Sequence, residues 1–79
     1  MNITLTKQAL KQMSVLDKTI KQRIFNGVGK LPDGDVKKLK GYSNFYRLRI
    51  GDYRVLYNIT DGDIVITDVL PRGEAYKNI

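Results

Sequence analysis

Residues 45–57, FYRLRIGDYRVLY, are the most informative about the fold, because side-chain character alternates with period two on both sides of Gly51-Asp52. This alternation predicts two antiparallel strands joined by a two-residue turn with glycine in the first position. With the turn at these two residues, Arg49 lies directly opposite Arg54. The stretch is therefore predicted to form a β-hairpin in this register.

Successive side chains of a strand point to opposite faces, so this hairpin has an apolar face and a basic face. The apolar face carries Tyr46, Leu48, Ile50, Tyr53, Val55 and Tyr57, and the basic face carries Arg47, Arg49 and Arg54. Like charges directly opposite each other destabilise a sheet. Three guanidinium groups on one patch therefore predict a bound anion. Phosphate is the preferred candidate, because the guanidinium fork binds it in bidentate fashion.

The N-terminal part of the chain predicts one strand and two helices. Residues 2–5 alternate as a short strand does, and Thr6 and Asp17 are candidate helix N-caps. Apolar residues at helical spacing follow each cap: Ala9, Leu10, Met13 and Leu16, then Ile20, Ile24, Phe25 and Val28. The two helices are expected to form a hairpin with solvent-exposed charges on its outer faces.

The C-terminal part completes an α+β fold with the order β-α-α-β-β-β. Residues 36–42 are interpreted as a connector, and Asp61-Gly62 marks a tight turn before a third strand at 64–70. Val65, Thr67 and Val69 of that strand are expected on the arginine side, and Asp68 on the apolar side near the sheet edge. The chain of 79 residues predicts a single domain, 1–79, with the helices on one face of a three-stranded antiparallel meander.

The composition indicates an anionic partner and excludes several kinds of chemistry. The chain carries 14 Lys and Arg against 8 Asp and Glu, a net charge of +6, and it has neither His nor Cys. Six of the basic residues fall between Lys37 and Arg54, against a single acid, Asp52, which fits a nucleic-acid footprint. Without His or Cys, the usual nucleophile–base pairs and zinc sites are excluded. We expect no metal, no cofactor and no membrane span, and a cytoplasmic location.

Several blocks of the sequence resemble toxins of the RelE/ParE superfamily from bacterial type II toxin–antitoxin systems. The blocks are TKQA at 6–9, LKG at 39–41, YRLR at 46–49, GDYRVLY at 51–57 and RGEAYK at 72–77. The resemblance covers almost the whole chain, and the middle and terminal blocks are fairly specific in combination. It implies the RelE-like fold and a cognate antitoxin protein as partner in a hetero-oligomer.

The resemblance also implies one of two activities. RelE-like members are endoribonucleases that cut mRNA in the ribosomal A site, whereas ParE-like members inhibit DNA gyrase on the same fold. The family's ribonuclease residues correspond here to Arg47, Arg49, Arg54, Arg72 and Tyr76. They would support metal-independent transesterification, in which preorganised cations stabilise charge on the phosphorane oxygens. We expect the ribonuclease, with the ribosome and mRNA as partners and the gyrase inhibitor as the alternative.

Candidate RNA-binding residues flank this set: Lys37, Lys38, Lys40 and Phe45. For the lysines, the alternative interpretation is an ordinary solvated basic surface. For Tyr76, which could stack on a base, the alternative is a C-terminal anchor packed on the sheet. A plain RNA-binding module without activity is a third hypothesis for the whole chain.

One departure from the family pattern concerns the general base. Many ribonuclease members carry lysine where this chain has Arg47 and Arg49, and arginine in proteins does not lose its proton. Glu74 is the nearby carboxylate of the terminal block and is the candidate base, with a surface charge as the alternative. Otherwise the ribosome must assist, or the rate must rest on positioning and electrostatics.

Overall fold

The computed structural model describes residues 2–31, 33–39 and 45–71. The elements are β1 (Ile3–Leu5), α1 (Lys7–Ser14), α2 (Lys18–Val28), β2 (Val36–Lys38), β3 (Phe45–Ile50), β4 (Tyr53–Thr60) and β5 (Asp63–Pro71). The strands form one sheet in the order β1-β5-β4-β3-β2, in which β1 pairs parallel with β5 and the other neighbours pair antiparallel. The predicted α+β architecture, two helices followed by a sheet meander, is confirmed.

The central hairpin has the register that its alternation predicts. Arg49 pairs with Arg54, and Leu48 pairs with Val55. Gly51 opens the turn with a φ of 57°, which a two-residue turn with glycine first requires. The hairpin therefore places its arginines on one sheet face and its core residues on the other.

Both predicted helix caps are confirmed. The Thr6 side chain accepts a hydrogen bond from the Ala9 N–H at 3.1 Å, and the Asp17 side chain accepts one from the Ile20 N–H at 2.9 Å. Each bond satisfies a backbone donor that has no partner within the first turn of a helix. Within the described residues, neither helix is long and apolar enough to span a membrane.

The core forms between the helices and one face of the sheet. Its buried members are Ala9, Met13, Ile24 and Val28 from the helices, and Leu48, Val55, Tyr57, Ile64, Ile66 and Val69 from the strands. The spacing of these residues is helical in the first group and largely alternating in the second. The core thus leaves the opposite sheet face to the arginines.

The interpretation of residues 36–42 as a connector is wrong for its first part. Val36–Lys38 forms the edge strand β2, in which Lys37 pairs with Arg47 and Lys38 pairs with Tyr46. The strand has only three residues, and two of them are lysines, so neither length nor apolar alternation identified it. Lysines on a short edge strand are a usual means of preventing sheet-to-sheet association.

The expected faces of Val69 and Asp68 are also wrong, because β5 contains a β-bulge. Leu56 pairs with Asp68 whereas Tyr57 pairs with Ile66, so Thr67 is an extra residue and the alternation reverses beyond it. Val69 consequently enters the core. Val65, which precedes the bulge, lies on the arginine side as expected.

Helix α1 closes the edge of β5 at this bulge. The Asp68 carboxylate accepts hydrogen bonds from the side-chain amides of Gln8 at 2.6 Å and Gln12 at 3.3 Å. The side-chain oxygen of Gln12, Oε1, in turn accepts from the Val69 N–H at 2.7 Å. The glutamines therefore satisfy a backbone donor and a carboxylate that lie beyond the end of the short strand β1.

Candidate functional site

The arginine face consists of Arg47, Arg49 and Arg54 on the sheet side opposite the helices. Arg47 and Arg49 come from β3, and Arg54 comes from β4 directly opposite Arg49. Arg47 lies diagonally across from Arg54, at a distance that long side chains can bridge. The fold therefore brings together the three arginines that the sequence assigned to one patch.

Two of these arginines are largely buried, so the basic face predicted from the sequence is not an open cationic surface. Arg54 is 8% exposed, and the side chain of Arg47 is 12% exposed. Only Arg49 is exposed to solvent. Leu56, which pairs with Arg47, is buried on the same face. The site is thus a recessed cationic patch with one exposed member, and in such surroundings charges interact more strongly than in water.

The buried guanidinium groups are incompletely compensated within the described part of the chain. The Nε atoms of Arg47 and Arg54 are buried and have no hydrogen-bond partner there. Arg54 donates one long bond, 3.4 Å, from Nη1 to the Tyr53 carbonyl. A buried cation without a full set of partners costs several kcal/mol in typical proteins. A bound anion would compensate this charge, and the arrangement therefore favours a phosphate ligand.

Asp35 approaches the arginine face, and sequence reasoning missed it. Its Oδ1 atom lies 3.9 Å from Arg47 Nη1, and its carbonyl accepts from the Arg49 N–H at 3.0 Å. The Asp35 side chain is exposed, so this ion pair contributes little to stability. Asp35 follows Gly34 directly, and an acid next to glycine is more typical of a turn than of a functional site. The lysines that follow it would have been the signal for an edge strand next to the arginines.

The predicted RNA-binding residues divide between the two sheet faces. Lys37 pairs with Arg47 and lies on the arginine face, which Phe45 shares by strand alternation. Lys38 pairs with Tyr46 and lies on the opposite face at the sheet edge. Lys40 falls outside the described residues, as do Arg72, Glu74 and Tyr76 of the predicted catalytic set, so these four assignments stay predictions.

Tyr57, whose ring lies beneath the site, does not supply a base. The rings of Tyr46 and Tyr57 stack on the helix side of the sheet, with centroids 5.4 Å apart. Burial raises the pKa of the Tyr57 phenol above its ordinary value of 10.0, and the neighbouring Tyr46 raises it further. Tyr57 therefore stays protonated at neutral pH. In the described part of the chain, no three His, Cys, Asp or Glu side chains converge as a metal site would require.

A separate apolar cleft lies on the helix side of the molecule, between β1 and α2. It has a volume of about 280 Å³, and its lining residues are Ile3, Leu5, Met13, Ile24, Phe25, Val28, Gly29, Ile66 and Val69. Phe25 is 54% exposed at its rim, and Ile3 is also exposed. A large exposed aromatic beside an apolar cleft is typical of a protein-binding surface.

The described fold is that of RelE proteins of known structure. A chain of the RelB–RelE antitoxin–toxin complex from Methanococcus jannaschii superposes with a TM-score of 0.81 at 26% identity, covering 96% of this chain and 98% of that one. A chain of the archaeal RelE–RelB complex from Pyrococcus horikoshii OT3 superposes with a TM-score of 0.77 at 32% identity, covering 91% and 94%. The class of protein that the architecture defines is therefore RelE-like.

Sequence comparison identifies the family. The model of the ParE toxins of type II toxin–antitoxin systems (parDE) matches residues 3–76, and the chain belongs to this family within the RelE/ParE superfamily. Toxin RelE3 of Methanocaldococcus jannaschii is 43% identical over 42 residues, which are 53% of this chain and 48% of that protein. Putative toxin RelE1 of the same organism is 46% identical over 46 residues, 56% and 51% respectively. The chain spans about half the length of these curated relatives in the aligned regions.

Proposed function

We propose that this chain is a toxin that cleaves mRNA on the ribosome as a metal-independent endoribonuclease and thereby blocks translation. The observation that carries the proposal is the recessed cationic patch, in which Arg47 and Arg54 are buried and their Nε atoms have no hydrogen-bond partner among the described residues. Such a patch costs stability unless an anion occupies it. Phosphate groups of RNA match both its charge and the geometry of guanidinium donors. The similarity to RelE toxins supports the same activity.

The proposed reaction is attack of an RNA 2′-oxygen on the adjacent phosphorus. The new O–P bond forms as the bond to the 5′-oxygen breaks, which leaves a 2′,3′-cyclic phosphate on one fragment and, once the 5′-oxygen takes a proton from water, a 5′-hydroxyl on the other. Negative charge grows on the phosphorane oxygens. We assign the stabilisation of this charge to Arg54 and Arg47, because buried cations act without reorganisation of solvent. Arg72 and Tyr76 complete this set, and Glu74 is the proposed base that accepts the 2′-hydroxyl proton.

A gyrase inhibitor is the second candidate function. The family model that matches the chain is named for ParE toxins, whereas the matched relatives are named RelE. Arginine at positions 47 and 49 favours this alternative, because arginine cannot act as a base. In that case the arginine face would bind an acidic or phosphate-bearing partner without catalysis.

Toeprinting on translating ribosomes separates the two functions. Adding the purified protein is expected to produce new mRNA ends within the ribosomal A site, and induced cells are expected to lose protein synthesis while DNA supercoiling stays unchanged early on. A catalytically inert variant at Arg54 serves as the control. Early DNA damage with intact mRNA would instead identify the gyrase inhibitor. If the protein binds RNA but does not cleave it, even on ribosomes, the chain is a plain RNA-binding module.

We further propose a cognate antitoxin whose acidic segment, carrying a large apolar side chain, occupies the apolar cleft. Helical spacing places Lys18 and Lys21 on the same face of α2 as Phe25, so the rim combines positive charge with an exposed aromatic. An acidic amphipathic segment complements both features. Two solved structures of the same fold are RelE–RelB complexes, which supports a protein partner of this kind.

Phe25→Asp is expected to weaken antitoxin binding by about 30-fold or more, as loss of an interface anchor does. Phe25 is more exposed than buried, so the variant should fold and stay toxic while the antitoxin no longer restores growth. Leu10→Asp is the matched control, because Leu10 is similarly exposed at 56% but does not line the cleft. Titration calorimetry measures both affinities. Equal affinities for wild type and Phe25→Asp would place the antitoxin elsewhere.

A further inference from the structure

A second concave surface lies between α2, residues 34–35 and strand β3, and apart from Arg49 its cations take no part in the functions proposed above. This basic groove has a volume of about 320 Å³ and is lined by Arg23, Asn26, Gly27, Lys30, Gly34, Asp35, Leu48, Arg49 and Ile50. Its charged members are three cations and one carboxylate. Arg49 belongs both to this groove and to the arginine face, so the two surfaces are continuous around the edge of the sheet.

Close packing of α2 on β3 assembles the basic groove. A Cβ atom at Gly27 would lie 2.6 Å from Ile50 Cδ1, so glycine allows the helix to approach the strand. Arg23 lies one helical turn before Gly27 on the same side of α2, and Lys30 follows the C-cap residue Gly29; both residues line the groove. The Arg23 guanidinium extends over the hairpin turn, where Nη2 is 3.2 Å from the position of a Cβ at Gly51. The helix thereby brings Arg23 to the groove beside β3, the strand that carries Arg49.

The charges of the groove are not neutralised within the protein. Among the described residues, Arg23, Lys30 and Arg49 have no carboxylate within 4.0 Å, and the single described ion pair joins Asp35 to Arg47. The C-terminal end of α2, which is close by, contributes about half a negative charge. The three cations of the lining outweigh that contribution and the Asp35 carboxylate together. The groove therefore presents net positive potential to solvent.

We propose that the basic groove binds the phosphodiester backbone of the RNA next to the phosphate held on the arginine face. This inference rests on the proposed function, which it extends by naming a path for the RNA from Arg49 over the hairpin turn to Arg23 and Lys30. The chemistry of the lining favours RNA over a protein partner. None of the described large apolar side chains that are exposed, Ile3, Leu10, Val15 and Phe25, lines the groove. An RNA backbone needs cations in a groove and no apolar anchor.

The test measures how RNA affinity depends on salt. The probe is a fluorescent 2′-O-methyl oligoribonucleotide, which cannot be cleaved because its 2′-oxygens carry no proton. Each phosphate contact with a single strand contributes about 0.7 to the slope of log affinity against log salt. The double variant Arg23→Gln with Lys30→Gln should therefore lower the slope by about 1.4. The double variant Lys7→Gln with Lys11→Gln removes the same charge from α1, far along the sheet, and should leave the slope unchanged.

Glutamine keeps most of the aliphatic stem and the helix propensity of both residues, and thermal melting confirms that each variant folds. The single variant Arg23→Lys keeps the charge and should keep the wild-type slope. Equal slopes for the groove variant and wild type would overturn the proposal, as would equal losses in both double variants. Loss of antitoxin binding with an unchanged RNA slope would assign the groove to the protein partner and also overturn it.

Cleavage on ribosomes, measured in parallel, keeps this inference separate from the proposed function. If the chain cuts no mRNA but the groove variant changes the salt dependence of RNA affinity, the ribonuclease proposal is refuted. The groove then remains assigned to RNA. If the wild type cleaves mRNA but the salt dependence of its RNA affinity does not depend on Arg23 and Lys30, only the assignment of the groove to RNA is refuted.

Discussion

Replacing Arg54 by Ala is expected to slow mRNA cleavage by about 10²–10³-fold, the usual loss when one preorganised donor to the transition state is removed. Arg54 is the most deeply buried member of the arginine face, and its guanidinium has a single long hydrogen bond among the described residues. Growth inhibition should disappear with the cleavage. The fold should persist, because the substitution also removes repulsion from Arg49 across the strand pair. Single-turnover cleavage on programmed ribosomes measures the effect.

Two further variants at this position separate charge from packing. Arg54→Met keeps an unbranched stem without the charge and should be inactive, with a melting temperature equal to or above that of wild type, because an uncompensated buried cation is removed. Arg54→Lys keeps the charge without the fork and should retain part of the activity. Full toxicity of Arg54→Ala at equal expression would refute the assignment. A large loss of stability in Arg54→Met would show that Arg54 serves the fold.

Replacing Leu48 by Ala is expected to lower the free energy of unfolding by about 2–5 kcal/mol, the range for large-to-small substitutions in a core. Leu48 is 2% exposed, lies between Arg47 and Arg49 in β3, and packs in the main hydrophobic cluster. A domain of 79 residues has a small core, so this loss is comparable to its whole stability. The variant should be largely unfolded at 37 °C, as urea titration followed by circular dichroism would show.

Leu10→Ala provides the control for Leu48→Ala, because the same chemical change is made at an exposed helix position. It should alter stability by less than about 0.5 kcal/mol, as surface substitutions usually do. Binding of the antitoxin should partly rescue Leu48→Ala, since a ligand of the folded form stabilises it by mass action. Similar losses in the two variants would contradict the position of Leu48 in the core.

The hairpin and its arginines could be predicted from sequence because their determinants are local. A period-two pattern on both sides of a two-residue turn allows one register that keeps the apolar residues together, and a slip by one residue would exchange the faces. The pairing of Arg49 with Arg54 follows from that register alone. The helix caps at Thr6 and Asp17 are equally local, since each accepts a bond from a backbone N–H three residues ahead.

The reversal of side-chain alternation in β5 at Thr67 could not be predicted in this way, because a bulge depends on how the strand pairs with its partner. Alternation before and after the bulge is regular, but the extra residue changes which side chains enter the core. Edge strand β2 escaped prediction for a related reason. A strand of three residues that includes two lysines has little strand character of its own. Its formation depends on pairing with the neighbouring strand β3, in which Arg47 lies opposite Lys37.

The sequence by itself determined the α+β order, the register of the central hairpin and the presence of three arginines on one sheet face. These features depend on neighbours in the chain, whose spacing is set by strand and helix periodicity. The tertiary structure alone decided that Arg47 and Arg54 are buried and that Asp35 approaches Arg47. It also brought α2 against β3, so that cations distant in sequence border one groove. Burial and such juxtapositions arise when separate elements pack, and no periodicity within one element specifies them.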